Sequence, residues 1–315
     1  MSSHRAKPLN QPASDLGSLH IYSPSGVVTA PSVLKRAGQR LGHWGFEVEI
    51  DPSASARSQR FAGDDATRLQ AVHRVARAAP SVALASRGGY GLTRLLDGLE
   101  WKLLGRSVER GTRWVGYSDV TALHLGLLAH RGAVSWAGPH AVEDFGRPDT
   151  PELVDEITRD VFLEAMQGVL EGVGFKTPAG LNGLDVRGTL WGGNLRMVSS
   201  LLGTAHFPDI KSGILFLEDV GEHPYRIERM LLQLLQAGVL GRQKAVVLGH
   251  FTEWRTSPLD RGYGLNSVWE AVQSRTRVPL VRGLPFGHVP TRVSLPVGQR
   301  ARLLVDGTQA WLNWA

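Results

Sequence analysis

The stretch RWVGYSDVTALHLGLLAH, residues 113–130, carries the pattern that decides the fold. The apolar tract RWVGY predicts a short buried strand, and DVTALHLGLLAH predicts a helix that begins directly after it. Ser118 lies at the turn between them and has two interpretations. A serine in that place is a common helix N-cap, and it is also where a nucleophile can lie beside backbone N–H groups. The segment departs from the G-x-S-x-G elbow, because Val120 takes the place of the second glycine.

The same alternation of apolar tracts and helical patterns runs through the first half of the chain. The predicted strands are LHIY, FEVEI, SVALAS, RWVGY and VSWAG. The predicted helices are APSVLKRAGQRLGHWG, DDATRLQAVHRVARAA, LTRLLDGL, DVTALHLGLLAH and PELVDEITRDVFLEAMQGVL. This alternation predicts a parallel sheet with helices on both faces. Ligands bind at the carboxyl ends of strands in such sheets, so Ser118 and the loop RGGYG at 87–91 are placed where a site is expected.

The second half predicts a smaller unit with more strand. Strands are predicted at DVRGTL, GILFLED, KAVVLGHF, RARLLVDG and QAWLNW, with helices at YRIERMLLQLLQAG and NSVWEAVQSR. The glycine-rich segment before them, GVGFKTPAGLNG, predicts a linker or a surface hairpin. We therefore predict four segments: a flexible lead-in at 1–17, an N-terminal α/β domain at 18–168, a linker at 169–184 and a β-rich C-terminal domain at 185–315.

Composition excludes several kinds of site and partner. The 315 residues include no cysteine, which excludes disulfides, cysteine nucleophiles and thiolate metal sites. No apolar run reaches about 18 residues and the first residues lack a signal-peptide pattern, so we expect a cytoplasmic protein with no membrane partner. Lys+Arg 35 against Asp+Glu 29 gives a net charge of +6 with no basic block. We therefore expect no nucleic-acid partner, while a mildly positive surface suits an anionic small substrate.

Besides Ser118, two side chains and a pair of backbone amides could take part in acyl transfer. His288 lies in GLPFGHVPTRVSLPVG, which is too rich in glycine and proline for a helix, and a histidine held on such a loop suits a general base. Glu218 follows the apolar run ILFL and could orient that histidine. Gly88 and Gly89 let the backbone approach a ligand and offer N–H donors. Two of them have an ordinary alternative: a surface-loop histidine for His288 and a tight turn for the glycine pair.

Together these residues make a Ser–Glu–His set in that chain order. In such a set the imidazole takes the serine proton, the carboxylate holds the imidazole in the right tautomer, and glycine-loop amides stabilise the tetrahedral oxyanion. A sequence alone gives no geometry, so the set is a hypothesis at this stage.

Seven motifs lie between residues 23 and 288, within a resemblance that extends from about Ile21 to Leu312. They are SPSG at 23–26, RFAGDDATR at 60–68, SRGGYG at 86–91, GYSDVTALH at 116–124, GTLWGGNLRMVSSLLGT at 188–204, LEDVGEHPYRIERMLLQLLQAG at 217–238 and GLPFGH at 283–288. In this order they resemble the LD-carboxypeptidase family of serine peptidases. The resemblance implies a flavodoxin-like or class I amidotransferase-like N-terminal domain, joined to a smaller β-rich domain, with the active site between them.

The resemblance also implies roles for individual residues. Those of the catalytic triad are the nucleophile Ser118, the acid Glu218 and the base His288. Those of the oxyanion hole are backbone amides of Asp119 and of one glycine of the pair Gly88 and Gly89. The candidate substrate contacts are Arg87, Tyr90, Trp191 and Arg226. A structural role is the alternative for Arg87, and core packing is the alternative for Trp191.

The family reaction, as the resemblance implies, hydrolyses the amide between an L-centre and a terminal D-amino acid. It releases D-alanine from cell-wall tetrapeptides in peptidoglycan recycling, uses no metal or other cofactor, and is carried out by proteins that are often homodimers. Two alternatives stay open: a microcin-immunity-like hydrolase of aminoacyl-nucleotide analogues, and a non-catalytic binding module on the same fold. The chain length and the GTLWGGN context favour the cell-wall enzyme, and the filled triad positions argue against a silent module.

Overall fold

The computed structural model describes residues 16–148 and 154–314. Its strands are β1 (Ser18–Tyr22), β2 (Glu47–Ile50), β3 (Val82–Ala85), β4 (Arg113–Gly116), β5 (Ser135–Ala137), β6 (Gly172–Lys176), β7 (Asp185–Asn194), β8 (Ile214–Val220), β9 (Ala245–Thr252), β10 (Leu280–Arg282), β11 (Leu295–Val297), β12 (Arg300–Asp306) and β13 (Gln309–Asn313). Its helices are α1 (Pro31–His43), α2 (Asp65–Ala78), α3 (Trp101–Glu109), α4 (Thr121–Arg131), α5 (Glu156–Gln167), α6 (Leu195–Ser200), α7 (Pro224–Gln236) and α8 (Leu265–Gln273). Most of the predicted lead-in, residues 1–15, lies outside the described residues.

The first sheet has the strand order β11-β5-β4-β3-β1-β2. Strands β1 to β5 are parallel, as the strand–helix alternation predicts. The central strands β3 and β4 are apolar and almost fully buried, which is typical of parallel strands covered on both faces. The predicted α/β class with a parallel sheet is therefore confirmed.

The second sheet has the order β10-β9-β8-β7-β12-β13-β6. Strands β7 to β10 run parallel, and β12, β13 and β6 continue the sheet by antiparallel pairing. Strand β9 carries an extra residue opposite β8, where the register shifts between Leu217 and Asp219. This irregularity lies beside Glu218, and bulges of this kind re-aim neighbouring side chains.

Two strands depart from the predicted domain boundaries. The range 169–184, predicted as a linker, contains β6, which pairs with β13 in the second sheet. Its alternating burial is carried by Val173 and Phe175, and the glycines at 172 and 174 hide the alternation in the sequence. Strand β11, from the C-terminal half, pairs with β5 in the first sheet. The first sheet therefore includes a strand from the predicted C-terminal domain, and the second sheet includes a strand from the predicted linker.

Local elements differ from the prediction in the segment before β4. LTRLLDGL forms two short 3-10 turns, at Leu92–Arg94 and Leu96–Gly98, instead of a helix. The following helix α3 was not predicted. Among the described residues, none of the helices combines the length and apolar character needed to cross a bilayer.

The ends of the two sheets meet at one place. Buried side chains of both sheets belong to one hydrophobic cluster. The Asn194 amide at the end of β7 donates to the Thr121 hydroxyl at the start of α4, at 3.0 Å. A side chain at Gly193 would lie 2.5 Å from that hydroxyl oxygen, so a glycine is needed for this close approach. The carboxyl end of β4 is thereby held against the carboxyl ends of β7 and β8.

Candidate active site

Ser118 occupies a strained turn after β4. Its φ is +59°, in the left-handed region, a conformation that costs a non-glycine residue about 1 kcal/mol or more. A side chain at Gly116 would lie 3.0 Å from both Val120 methyl groups, so the turn needs a glycine there. Ser118 stays partly exposed while Asp119 and Val120 are buried. Within 16–148 and 154–314 its hydroxyl makes no capping hydrogen bond, so the helix-cap interpretation is not observed.

Side chains around the turn hold it in place. The buried Asp119 carboxylate accepts hydrogen bonds from the Ser25 hydroxyl at 2.6 Å and from the Leu92 amide at 2.9 Å. Burial raises the pKa of Asp119, and these hydrogen bonds oppose that effect. His124 Nε2 lies 2.8 Å from the Gly116 carbonyl oxygen and donates to it. Burial lowers the pKa of His124 to about 4, so this ring is neutral at pH 7.

The glycine loop lies directly against Ser118. A side chain at Gly88 would lie 2.9 Å from Ser118 Cβ and 3.0 Å from its Oγ. The Gly88 carbonyl accepts from the Gly26 amide at 3.1 Å. Because a trans peptide points its N–H opposite to its carbonyl, the Gly89 N–H points away from Gly26. Among the described residues no acceptor binds the amides of Gly89 and Asp119, and free amides are what an oxyanion hole requires.

Glu218 and His288 form a hydrogen-bonded pair. His288 Nδ1 lies 2.8 Å from Glu218 Oε2. Glu218 is fully buried at the end of β8, and the His288 side chain is about one-fifth exposed, 20%. Burial lowers the pKa of His288, but the hydrogen bond and charge of Glu218 outweigh it, so that the pKa is raised above its ordinary value. With Nδ1–H donated to the carboxylate, Nε2 is the ring atom left to take a proton.

The side-chain amide of Asn194 orients the Glu218 carboxylate. Its Oδ1 accepts from the Met197 amide at 3.2 Å, at the start of α6, which fixes the direction of the side-chain amide. Its Nδ2 donates to Glu218 Oε1 at 3.1 Å and to Asp219 Oδ1 at 3.0 Å. Burial and the neighbouring Glu218 charge raise the pKa of Asp219 to about 6. Sequence reasoning missed Asn194, because the predicted strand DVRGTL ends at Leu190 and no helix was predicted after it.

Ser118 and His288 line one cavity of about 270 Å³. The other lining residues are Arg87, Gly88, Gly89, Asp119, Glu143, Asn194, Arg196, Met197, Asp219, Val220 and Glu253. The ring of Tyr117, next to Ser118 in the chain, lies 4.9 Å from the His288 ring between centroids. No hydrogen bond joins the Ser118 hydroxyl to His288 within the described part of the chain. In that same part, no group of three or more His, Asp or Glu side chains is arranged to hold a metal ion.

The structure separates the four candidate substrate contacts. Arg87 lines the cavity, and its Nη2 lies 3.5 Å from Glu143 Oε1. Tyr90 is 45% exposed and lines a neighbouring cavity. Arg226 pairs with Glu222 at 3.6 Å and does not line the catalytic cavity. The prediction that Trp191 contacts the substrate is wrong, because its side chain is fully buried and packs in the core.

Arg292, which the sequence did not single out, holds the loop that carries His288. Its Nε donates to the Gly287 carbonyl at 3.1 Å, and its Nη2 donates to the Val289 carbonyl at 2.7 Å. These carbonyls belong to the residues on either side of His288. The Arg292 side chain is buried. Burial lowers its pKa, but the Asp144 carboxylate outweighs this and raises it.

The same guanidinium also contacts the turn that carries Ser118. It pairs with the buried Asp144 through Nη1 and lies 4.1 Å from the centroid of the Tyr117 ring. Tyr117 directly precedes Ser118. Arg292 therefore connects the loop that carries His288 to the turn that carries Ser118.

A second histidine, His140, is buried beside the same turn. Its Nδ1 lies 2.8 Å from Glu143 Oε2, and its Nε2 accepts from the Tyr117 amide at 3.2 Å. Burial raises the pKa of Glu143, but the hydrogen bond from His140 and nearby cations outweigh it and lower the pKa to about 2. Both ring nitrogens of His140 are occupied, so this histidine positions the turn while His288 keeps a free nitrogen.

Known proteins share this architecture. A putative carboxypeptidase of Synechocystis sp. is 33% identical over 303 residues, which cover 94% of this chain and 93% of that protein. The crystal structure of muramoyltetrapeptide carboxypeptidase from Oxalobacter formigenes is 41% identical, covers 95% of this chain and 98% of its own, and has a TM-score of 0.86. A structure of MccF in complex with glutamyl sulfamoyl guanosine has a TM-score of 0.83 over 98% of this chain and 99% of its own. Its identity is 21%, so it shows the fold alone.

Family models match both halves of the chain. The model described as the LD-carboxypeptidase N-terminal domain matches residues 19–138, which include Ser118 and the glycine loop. The model described as the LD-carboxypeptidase C-terminal domain matches residues 187–303, which include Glu218 and His288. On these matches and the relatives above, the chain belongs to the LD-carboxypeptidase family.

Proposed function

We propose that the protein is a serine LD-carboxypeptidase that releases the terminal D-alanine from cell-wall tetrapeptides in peptidoglycan recycling. The observation that carries the proposal is the cavity that contains both a strained, partly exposed Ser118 and a His288 oriented by the buried Glu218. The relative from Oxalobacter formigenes, a muramoyltetrapeptide carboxypeptidase at 41% identity, supports the substrate class.

The proposed reaction proceeds through an acyl-enzyme. His288 Nε2 takes the proton of Ser118 as the hydroxyl oxygen attacks the scissile carbonyl, and Glu218 stabilises the imidazolium that forms. The amides of Gly89 and Asp119 donate to the tetrahedral oxyanion. His288 then gives the proton to the departing amine of the D-residue. Water, activated by the same imidazole, hydrolyses the ester and regenerates Ser118.

A digest of defined muropeptides tests the proposal. The purified protein is incubated with a muramyl tetrapeptide and with the tripeptide product, and the mixtures are followed by mass spectrometry. We expect loss of one D-alanine from the tetrapeptide and no change in the tripeptide. An unchanged tetrapeptide at high enzyme concentration would contradict the proposal.

The similarity to MccF suggests one alternative substrate, an aminoacyl-nucleotide analogue. An aminoacyl sulfamoyl nucleotide also presents an acyl group to a serine nucleophile, and the shared fold extends over 98% of this chain. Turnover of such a conjugate and of the muramyl tetrapeptide, measured side by side, separates the two. A strong preference for the conjugate would identify it, instead of the muramyl tetrapeptide, as the substrate.

Location and assembly are proposed on the family resemblance. We infer a cytoplasmic protein, since recycled muropeptides are processed there, and a homodimer. Light scattering coupled to size-exclusion chromatography measures the second, and a mass of one chain would contradict it.

Gly88 gives a prediction specific to the oxyanion side. Gly88→Ala places a methyl group 2.9 Å from Ser118 Cβ, so the nucleophile or the loop must shift. We expect kcat/KM to fall about 10²-fold, the scale of a misplaced catalytic group. Gly42→Ala is the control, because Gly42, like Gly88, has no positive φ, and no atom outside its own helix lies within 4 Å of the added methyl. Equal activities of the two variants would contradict this prediction.

Arg292 gives a prediction that couples stability to activity. Arg292→Met removes both hydrogen bonds to the His288 loop and leaves the buried Asp144 without its cationic partner, although the His140 amide still donates to it. We expect a stability loss of about 3–5 kcal/mol and a lower kcat. Arg292→Met combined with Asp144→Asn removes the unpaired charge, so thermal unfolding should recover while kcat stays low. Recovery of kcat together with stability would show that Arg292 acts only on the fold.

A further inference from the structure

A second cavity adjoins the catalytic one at the glycine loop. Its volume is about 390 Å³. Its lining residues are Gly26, Val27, Arg57, Gln59, Arg60, Arg87, Gly89 and Tyr90. Arg87 and Gly89 line both cavities. We call the second one the arginine cavity, because three of its lining side chains are arginines and none is acidic.

Backbone hydrogen bonds hold the walls of the arginine cavity together. The Val27 amide donates to the Arg60 carbonyl at 3.0 Å, which joins the loop after β1 to the turn that carries Arg60. The Gly26 amide donates to the Gly88 carbonyl at 3.1 Å, which joins the same loop to the glycine loop. Ser58 and Phe61 exchange two backbone hydrogen bonds, at 3.0 and 2.9 Å, across the turn between them. The cavity is therefore built from three loops in fixed relation to the nucleophile.

The positive charges of the arginine cavity are not neutralised within it. Arg57 and Arg60 are exposed, and in the described ranges 16–148 and 154–314 neither side chain has an acidic partner. Arg60 instead lies 5.9 Å from the centroid of the Tyr90 ring. The nearby Asp65 is already paired, with Arg68 and with Arg94. The cavity therefore favours an anion.

The catalytic cavity offers less positive charge than the arginine cavity. Its Arg87 pairs with Glu143 at 3.5 Å, and its Arg196 pairs with Glu222. Arg87 also keeps a buried Nε without a hydrogen-bond partner among the described residues. Arg57 and Arg60 are therefore the unpaired cations next to the oxyanion side of the site.

The proposed substrate carries an anion close to the scissile bond. In a peptide cut at its last bond, the terminal carboxylate is one residue beyond the scissile carbonyl, about 4 Å away. Arg87 and Gly89 line both the catalytic cavity and the arginine cavity, so the two cavities adjoin beside the scissile carbonyl of the proposed reaction. A guanidinium binds a carboxylate through paired N–H donors. We propose that the arginine cavity, through Arg57 and Arg60, binds the carboxylate of the leaving D-residue; this rests on the proposed function.

The test compares peptides that differ only in that carboxylate. The wild type and Arg57→Gln/Arg60→Gln are assayed with a tetrapeptide ending in a free acid and with its C-terminal amide. We expect the wild type to prefer the acid by about tenfold or more in kcat/KM, as a charged hydrogen bond predicts. The double variant should lose that preference while its rate on the amide stays unchanged. An equal loss on both peptides, or no loss, overturns the proposal.

The control removes the same charge elsewhere. Arg110 and Arg277 are exposed, line neither cavity and have no acidic partner in the part of the chain that the structure describes. Arg110→Gln/Arg277→Gln should keep the acid preference of the wild type. If it loses that preference as the test variant does, general attraction by net charge explains the effect and the arginine cavity is not its cause.

Two further arms separate the possible failures. The peptide also carries carboxylates on the acyl side of the scissile bond, and a tetrapeptide in which these are amidated tests whether the arginine cavity binds them instead. If the effect of the arginine substitutions on kcat/KM disappears with this peptide, the assignment to the leaving residue is overturned. Calorimetric binding of the acid and amide peptides to Ser118→Ala, with and without the arginine substitutions, needs no turnover. Absent hydrolysis by the wild type contradicts the proposed function, whereas equal binding of acid and amide contradicts the arginine cavity.

Discussion

Ser118→Ala is expected to lower the rate of D-alanine release by about 10⁴-fold or more, because removal of a triad nucleophile leaves only binding and oxyanion stabilisation. The hydroxyl makes no hydrogen bond on which the fold depends among the described residues, so the variant should unfold at nearly the wild-type temperature. Product release followed by chromatography measures the first effect, and thermal unfolding measures the second.

The backbone at Ser118 supplies a matched control. A φ of +59° strains serine and alanine alike, whereas glycine adopts it freely. Ser118→Gly should therefore be as inactive as Ser118→Ala but at least as stable as the wild type. Near-normal turnover by either variant would remove Ser118 from the mechanism. Two inactive variants with unequal stability in the expected order would support a strained turn that exists to present the hydroxyl.

The turn at Ser118 was predictable because its causes are local. The apolar tract before Ser118 and the helical pattern after it lie in one continuous stretch, and they form β4 and α4 as expected. The loop position of His288 and the strand-end position of Glu218 were also visible in the sequence. Their hydrogen bond joins residues 70 positions apart, and the sequence could offer it only as a hypothesis.

What the sequence missed depends on long-range contacts. Strand β6 contains glycines and β11 contains a proline, so their local patterns are weak, and their pairing with β13 and β5 supplies what their composition does not. Arg292 is an ordinary arginine until the fold brings it to Asp144, 148 positions earlier. His140 was detectable in principle, since it follows a predicted strand as Ser118 does. A buried side chain at a strand end is recognisable only when its partners are known.

Glu218→Gln is expected both to slow the enzyme and to change its pH dependence. The carboxylate stabilises the imidazolium of His288, so its loss should lower the maximal rate by about 10²- to 10⁴-fold. In the wild type, burial lowers the pKa of His288 but Glu218 outweighs it, so the pKa is raised. Only the neutral ring accepts the Ser118 proton, and activity should therefore fall as pH drops through that raised pKa. Without the carboxylate, burial prevails and the pKa should drop below its ordinary value.

The acid limb of the pH profile should consequently move to lower pH in Glu218→Gln, measured as kcat/KM against pH. Asp219 is the group that could imitate this result. It lines the same cavity as His288, and its pKa of about 6 lies within the pH range of the profile. Asp219→Asn keeps the Glu218–His288 pair, so its acid limb should persist. If Asp219→Asn loses the acid limb, the titrating group is Asp219, and His288 is not the base whose protonation limits the reaction.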